Sequence, residues 1–209
     1  MKKLLIILIC GTVIILSVIG VISWLSWQPQ SWYLQQGSIT PEVSNLAERG
    51  EYRLNEEFHK IRPQEELWKI RITDEIMNAW LTTRLEGWLT HDREIELPQE
   101  IHNPQIHTTL EGVWLAAMVE IEEGALRPLA IQLRIWVERG NLQTEPTAIR
   151  IGRIPIPIYF LDKAITELNN KTSDMEAMVP LMDEREVEIH SIDFEDGAIV
   201  LTCQTHLPE

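Results

Sequence analysis

Apolar residues follow three rhythms along this chain, and each rhythm predicts a different element. From Leu4 to Leu25 no charged residue interrupts the run, whose polar members are Cys10, Thr12, Ser17 and Ser23. As a helix, a run of about 22 residues covers about 33 Å, enough for a hydrocarbon core of about 30 Å. Further on the spacing is that of an amphipathic helix. Met77, Leu81, Leu85 and Trp88 fall on one face of a segment expected to run from Asp74 to about Leu89. Thr73 is placed to cap it, with Asp74 and Glu75 at the positive end of its dipole. From Val113 the period drops to two. Val113, Leu115, Ala117, Val119 and Ile121 form one apolar stripe, and Leu129, Ile131, Leu133, Ile135 and Val137 form another. Two strands with their odd-numbered faces inward are expected. A loop Glu122-Glu123-Gly124, closed by Gly124, would set Ala117 opposite Leu129 and Leu115 opposite Ile131.

The remaining elements follow from local signals. Pro41 to Phe58 is Glu-rich and reads as a helix, and Leu67 to Ile72 reads as a short strand. His91 to Gln105, with Pro98 and Pro104, reads as irregular. A third strand follows Gly140-Asn141, and Pro146 makes it an edge strand or bulges it. Ile154-Pro155-Ile156-Pro157 ends that strand, and Pro157 can open a helix with Ile158, Leu161, Ile165 and Leu168 on one face. Asn169 to Glu184 is a polar connection carrying Met175, Met178 and Met182. The final hairpin turns at Asp196-Gly197 and joins Ile192 and Phe194 to Ile199, Leu201 and Cys203. The opposite parity of Val187 and Ile189 requires a bulge near Ser191.

Charge turns this pattern into a topology. Lys2 and Lys3 precede the apolar run, and no Lys or Arg follows it until Arg49. The positive-inside rule then puts the N-terminus in the cytoplasm. Residues 1–3 become a cytoplasmic tip, 4–25 a transmembrane helix, 26–40 a juxtamembrane linker and 41–209 an extracytoplasmic domain. Trp24, Trp27, Trp32 and Tyr33 stand where an interfacial aromatic belt would sit. The competing reading is a signal peptide cleaved after Gly20 or Ser23. The length of the apolar run and the missing polar c-region favour a retained anchor in the cell membrane. Of the 18 basic residues, 16 follow the run, against all 32 acidic ones, a net of -16. Such a surface repels nucleic acid and anionic headgroups alike, which excludes nucleic-acid binding and adsorption through a basic patch.

Motifs for chemistry are missing. The sequence holds no Gly-rich phosphate loop, Gly-x-Ser-x-Gly or His-Glu-x-x-His. His102 and His107 are five apart near Glu100, a spacing that matches no zinc signature, and solvated surface histidines fit it equally well. Cys10 and Cys203 give no disulfide framework. The terminal hairpin register sets His190 opposite Cys203, a half-buried structural pair. Trp114 and Trp136 lie on polar strand faces, with Arg134 near enough to Trp114 for a cation–π contact. A non-enzymatic protein without metal or cofactor is expected.

Several phrases resemble the YpmS-like family of bacterial single-span membrane proteins. They are Ile72-Thr73-Asp74-Glu75-Ile76-Met77-Asn78-Ala79-Trp80-Leu81, then Leu97-Pro98-Gln99-Glu100-Ile101, then Ile151-Gly152-Arg153-Ile154-Pro155-Ile156-Pro157 and the Phe194 to Ile199 hairpin. The likeness covers most of residues 66 to 203. It implies a curved antiparallel sheet wrapped against helices, reminiscent of tubular lipid-binding domains of the bactericidal/permeability-increasing type, and through them a role in lipid handling. The fold class expected is α+β: an N-terminal transmembrane helix, then an extracytoplasmic domain with a curved antiparallel sheet packed on two or more helices.

The expected function is that of a membrane-anchored envelope protein binding lipid-like apolar ligands. The groove would lie between the sheet and the helices holding Met77, Leu81, Leu85, Ile158, Leu161 and Ile165. The alternative is an interaction module or accessory subunit of a membrane protein complex, with those residues filling a solid core. The membrane itself is the partner of residues 4–25. A reporter fused after Glu209 is expected to be active only if it is of the exported type. Activity of a cytoplasm-only reporter at that position would overturn the topology.

Overall fold

The computed structural model describes residues 2–34, 39–63, 65–92, 98–122, 124–161, 166 and 175–207. Among these residues the fold is α+β, with four α-helices and two antiparallel sheets rather than the single sheet expected. The helices are α1 (Lys2–Trp27), α2 (Pro41–His59), α3 (Asp74–Thr83) and α4 (Leu85–Asp92). The strands are β1 (Leu67–Thr73), β2 (Ile101–Thr109), β3 (Gly112–Glu122), β4 (Ala125–Glu138), β5 (Asn141–Ile151), β6 (Ile154–Ile156), β7 (Met178–Pro180), β8 (Glu186–Glu195) and β9 (Ala198–His206). One sheet has the order β1-β9-β8-β7 and the other β2-β3-β4-β5-β6. Within α1, Ile9–Trp27 is long and apolar enough to cross a membrane, and none of it is buried by the rest of the chain.

The first sheet carries its own core. Trp68, Ile70, Val187 and Cys203 are buried on one face, packed by Leu54 and Phe58 of α2. Phe58 meets Trp68 edge to face, and the indole Nε1–H of Trp68 donates to Thr205 Oγ1 at 3.2 Å. Buried Arg185 holds the C-terminal end of α2 by donating to the carbonyls of His59 and Lys60 at 3.0 and 3.2 Å, while Asp183 neutralises it. That is a cation at the negative end of a helix dipole. Gly50 lets α2 cross α3 closely, since a Cβ there would strike Ile76. The terminal hairpin has the expected Asp196-Gly197 turn and a bulge between Ile189 and Ser191. That bulge pairs Ile189 with Cys203 and leaves His190 exposed, so the expected His190–Cys203 pairing is not formed.

The second sheet keeps the expected register but not the expected face. Leu115 pairs with Ile131 and Ala117 with Leu129, and Gly124 takes the left-handed conformation in the turn. Pro146 falls at a register shift in β5, as its missing N–H demands. Yet the even-numbered face is the covered one around Trp114 (7% exposed), Ala116, Ala130 and Gln132. On the odd face Leu115 and Leu129 are left 36% and 38% exposed, although Val113, Leu133 and Ile149 are buried. The reason is a stretch read as linker. Residues 28–34 run across the even face as a strap and pack Trp32 and Tyr33 on Trp114, Ala116 and Ala130. Those two aromatics are therefore sheet packing rather than part of a belt. Three further expectations are corrected. Ile101 to Gln105 is a strand with a bulge at Asn103-Pro104 (Asn103 φ 51°), not an irregular loop. The 169–184 connection contains β7. The helix from Asp74 breaks after Thr83, whose hydroxyl bonds back to Ala79 O at 2.8 Å. Of the helix expected after Pro157, a 3-10 turn at Ile158–Leu161 is present, and residues 162–165 and 167–168 lie outside the described residues.

The first turn of α3 seals an open sheet edge. β2 is an edge strand, so Ile106 and Thr108 turn backbone groups away from β3. Asn78 meets both groups of Ile106, donating to its carbonyl at 2.8 Å and accepting from its N–H at 2.7 Å. Asp74 accepts from the Thr108 N–H at 2.8 Å and the Thr108 hydroxyl at 2.5 Å. One helical turn between positions 74 and 78 rises about 6 Å, close to the roughly 6.6 Å between alternate strand residues, which is why the two side chains reach both sites. The loop then closes through the other sheet: Gly197 N–H donates to Thr108 O at 3.0 Å and Asp74 N–H to Gly197 O at 2.9 Å. Asp74→Ala should cost about 3 kcal/mol and Asn78→Ala about 2 kcal/mol, since each strands buried backbone donors. Denaturant unfolding followed by Trp fluorescence measures both, and a loss below about 0.5 kcal/mol for Asp74→Ala would refute the seal.

Candidate functional site

The strap is fastened at both ends. Near β5, Gln30 donates to Gly152 O, Arg153 N–H donates to Leu25 O at 3.0 Å, and the Arg153 guanidinium donates to Pro29 O at 3.2 Å. Arg127 of β4 stacks its guanidinium on Trp27 at 3.7 Å and bonds Ser26 Oγ. These cations stand at the C-terminal, negative end of α1. Gly152 (φ 57°) sits under the helix end, where a Cβ would strike the carbonyl oxygens of Leu25 and Ser26. At the β2 end, Gln105 pairs with Leu34 like a strand neighbour, donating to its carbonyl at 2.5 Å and accepting its N–H at 3.0 Å. Tyr33 donates its hydroxyl to Asn103 O at 2.7 Å, and burial pushes its pKa up to about 12.

Two open cavities flank this strap. The first, of about 590 Å³, lies between the strap, the β2 edge and the α3–α4 junction. Trp27, Tyr33, Leu81, Leu85, Ile101 and Met118 supply its apolar wall, and Glu86, His102 and Asn103 its polar one. Leu81 near the end of α3 and Leu85 at the start of α4 both stand at this wall. No protein-family model matches this chain, and no curated protein is significantly similar to it. The second cavity, of about 940 Å³, opens between Trp32, Trp114 and the arginines of β4 and β5.

Of the six expected groove residues, Leu81 and Leu85 share the first cavity. Met77 is half-buried elsewhere on α3, and Ile158 packs in the turn beside β5, across the sheet from β2. The side chain of Leu161 and all of Ile165 lie outside the described residues. Trp27, Tyr33, Ile101 and Met118 were not expected at a site. Proline density around Pro104 hid β2, and Tyr33 had a belt position in sequence.

Several single residues find different company than expected. His107 Nδ1 lies 3.1 Å from Asp74 Oδ2 and its ring stacks on Trp32 at 5.0 Å, while His102 lies on the first cavity wall. Among the described residues no group of His, Cys, Asp or Glu is arranged to hold a metal ion. The cation over Trp114 is Arg150, at 4.7 Å, not Arg134. Met182 is fully exposed and Met178 half-buried in β7. Cys203 is wholly buried, and burial pushes its thiol up to about 11, so it stays protonated at neutral pH. It is expected to resist alkylation in the folded protein and to react once denaturant opens the first sheet. Gly152→Ala should free the strap, because it adds both a left-handed strain of about 1–2 kcal/mol and a clash with the helix end. Limited proteolysis should then cut within residues 28–34 of the variant and spare the parent chain.

Proposed function

We propose that this chain is a non-enzymatic, membrane-anchored envelope protein with its domain outside the cytoplasm, and that the cavity beside Leu81 and Leu85 takes up a lipid-like ligand. The observation that carries this reading is the position of Trp27, which is both the last residue of the apolar helix and part of the cavity wall. A span ending at Trp27 would place the opening where the bilayer surface meets the domain, so an acyl chain could enter without crossing water. The mixed wall suits an amphiphile: apolar contact from Leu81, Leu85 and Met118, polar contact from Glu86, His102 and Asn103. The acidic surface supports the same reading, because general adsorption on anionic lipid is disfavoured and a defined pocket is left as the route to lipid contact. Kinship with the YpmS-like proteins belongs to the same proposal.

A second reading is favoured by the other face of the second sheet. Leu115, Leu129 and Ile121 are partly exposed there on adjacent strands, an apolar surface suited to docking a neighbouring membrane protein. Leu85→Gln separates the two. The full chain purified from membranes should yield bound lipid by native mass spectrometry, and the variant about tenfold less with an unchanged melting temperature. Equal lipid recovery from the variant, or none from the parent, would leave the docking reading in front.

A further inference from the structure

The second cavity is built differently from the first, and its chemistry points to another class of ligand. Three buried glutamines lie on or against the even face of the second sheet: Gln30, Gln105 and Gln132. Gln30 and Gln105 are spent on fastening the strap. Gln132 is 6% exposed, lines the cavity, and has no side-chain hydrogen bond to any described residue. The amide opens into the cavity rather than being sealed from water, and it holds a donor and an acceptor free for a ligand there. Around it stand two guanidiniums, Arg134 and Arg150, in a chain of net charge -14. Among the described residues neither is paired with a carboxylate, although 32 acidic groups are present. Arg150 lies over Trp114 and donates to Gln30 Oε1 at 3.4 Å, yet both guanidiniums keep donors free of any carboxylate, which suits an oxyanion.

The rest of the wall narrows the ligand further. Trp32 and Trp114 stand in the same wall, each with one indole face already taken, by His107 and by Arg150, so the polarised C–H groups of a sugar ring would meet the remaining edge or face. Glu111 and Asp196 stand at the same cavity as acceptors for hydroxyl groups and as a bar to a second negative charge. Ring stacking, hydroxyl acceptors, a free amide and one cationic corner occur together at this one place. We propose that the cleft between Trp32, Trp114, Gln132, Arg134 and Arg150 binds an acidic sugar, a pyranose bearing one oxyanionic group. The oxyanion pairs with Arg134 and Arg150, the ring lies against the indoles, and Gln132 bonds ring hydroxyls. This site is separate from the lipid cavity and stands or falls without it.

The test uses the full chain in a sugar-free zwitterionic detergent, titrated with glucuronate, glucose 6-phosphate, glucose and inorganic phosphate. Binding is read by calorimetry and by the indole N–H signals of the tryptophans. Both sugar acids should bind, with glucose and inorganic phosphate weaker by about tenfold or more. Arg134→Gln should weaken the sugar acids about tenfold without moving the melting temperature, because its side chain is exposed. Gln132→Leu should lose affinity at an unchanged melting temperature. A purely structural glutamine would instead lose stability and leave affinity unchanged. Dodecyl glucuronide in the micelle distinguishes sources: tighter capture than free glucuronate marks a lipid headgroup, and weaker capture a soluble or polymeric sugar. Equal binding of glucose and glucuronate, phosphate binding as tight as either sugar acid, no binding of a sugar acid below about 10 mM, or unchanged affinity in both variants would each overturn the site.

Discussion

The two sheets and α3 are tied together at a single sheet edge. β2 turns Ile106 and Thr108 outward, and unpaired backbone groups on an edge either find partners or invite another chain. Asp74 and Asn78, one helical turn apart on α3, supply those partners. Because Asp74 and Thr108 also share Gly197 with the terminal hairpin, the same few hydrogen bonds fix the first sheet, the second sheet and α3 relative to one another. A substitution here would disturb three elements at once, whereas most surface changes in the acidic exterior would disturb none.

The strap is the second organising device, and it depends on the first. With β2 held in place, Gln105 and Asn103 can grip residues 33 and 34, while Gly152 and Arg153 grip the end of α1. The apolar helix is thus not hung from a loose tether. Its end is pinned to the β5–β6 turn and to Arg127 through hydrogen bonds and a stacked guanidinium, which orients the second sheet relative to the helix axis. Both cavities follow from this crossing. Trp32 walls one and Tyr33 the other, so a movement of the strap would change the two openings together.

Local signals were read well where the physics is local. Thr73 caps α3, the Asp196-Gly197 turn sets a two-residue hairpin, and Pro146 forces its bulge. In each case a side chain or a missing N–H acts within a few residues of itself. The candidate site was legible only in part. Leu81 and Leu85 were found through helical period, but Trp27, Tyr33 and Met118 carry no period that marks them as neighbours.

What the sequence determined by itself is the apolar helix, the strand register from Val113 to Val137 and the terminal hairpin, because these rest on backbone period and turn chemistry; β2, β7 and the break between α3 and α4 were not among them. Tertiary structure decided which face of that hairpin is covered. Alternation names two faces, but it does not say which will meet a partner. The odd stripe is the more apolar, yet the even face is covered because the strap reaches it from about 80 to 100 residues away in sequence. Register is a property of two adjacent strands, whereas burial belongs to whatever packs on them, and that comes from elsewhere in the chain.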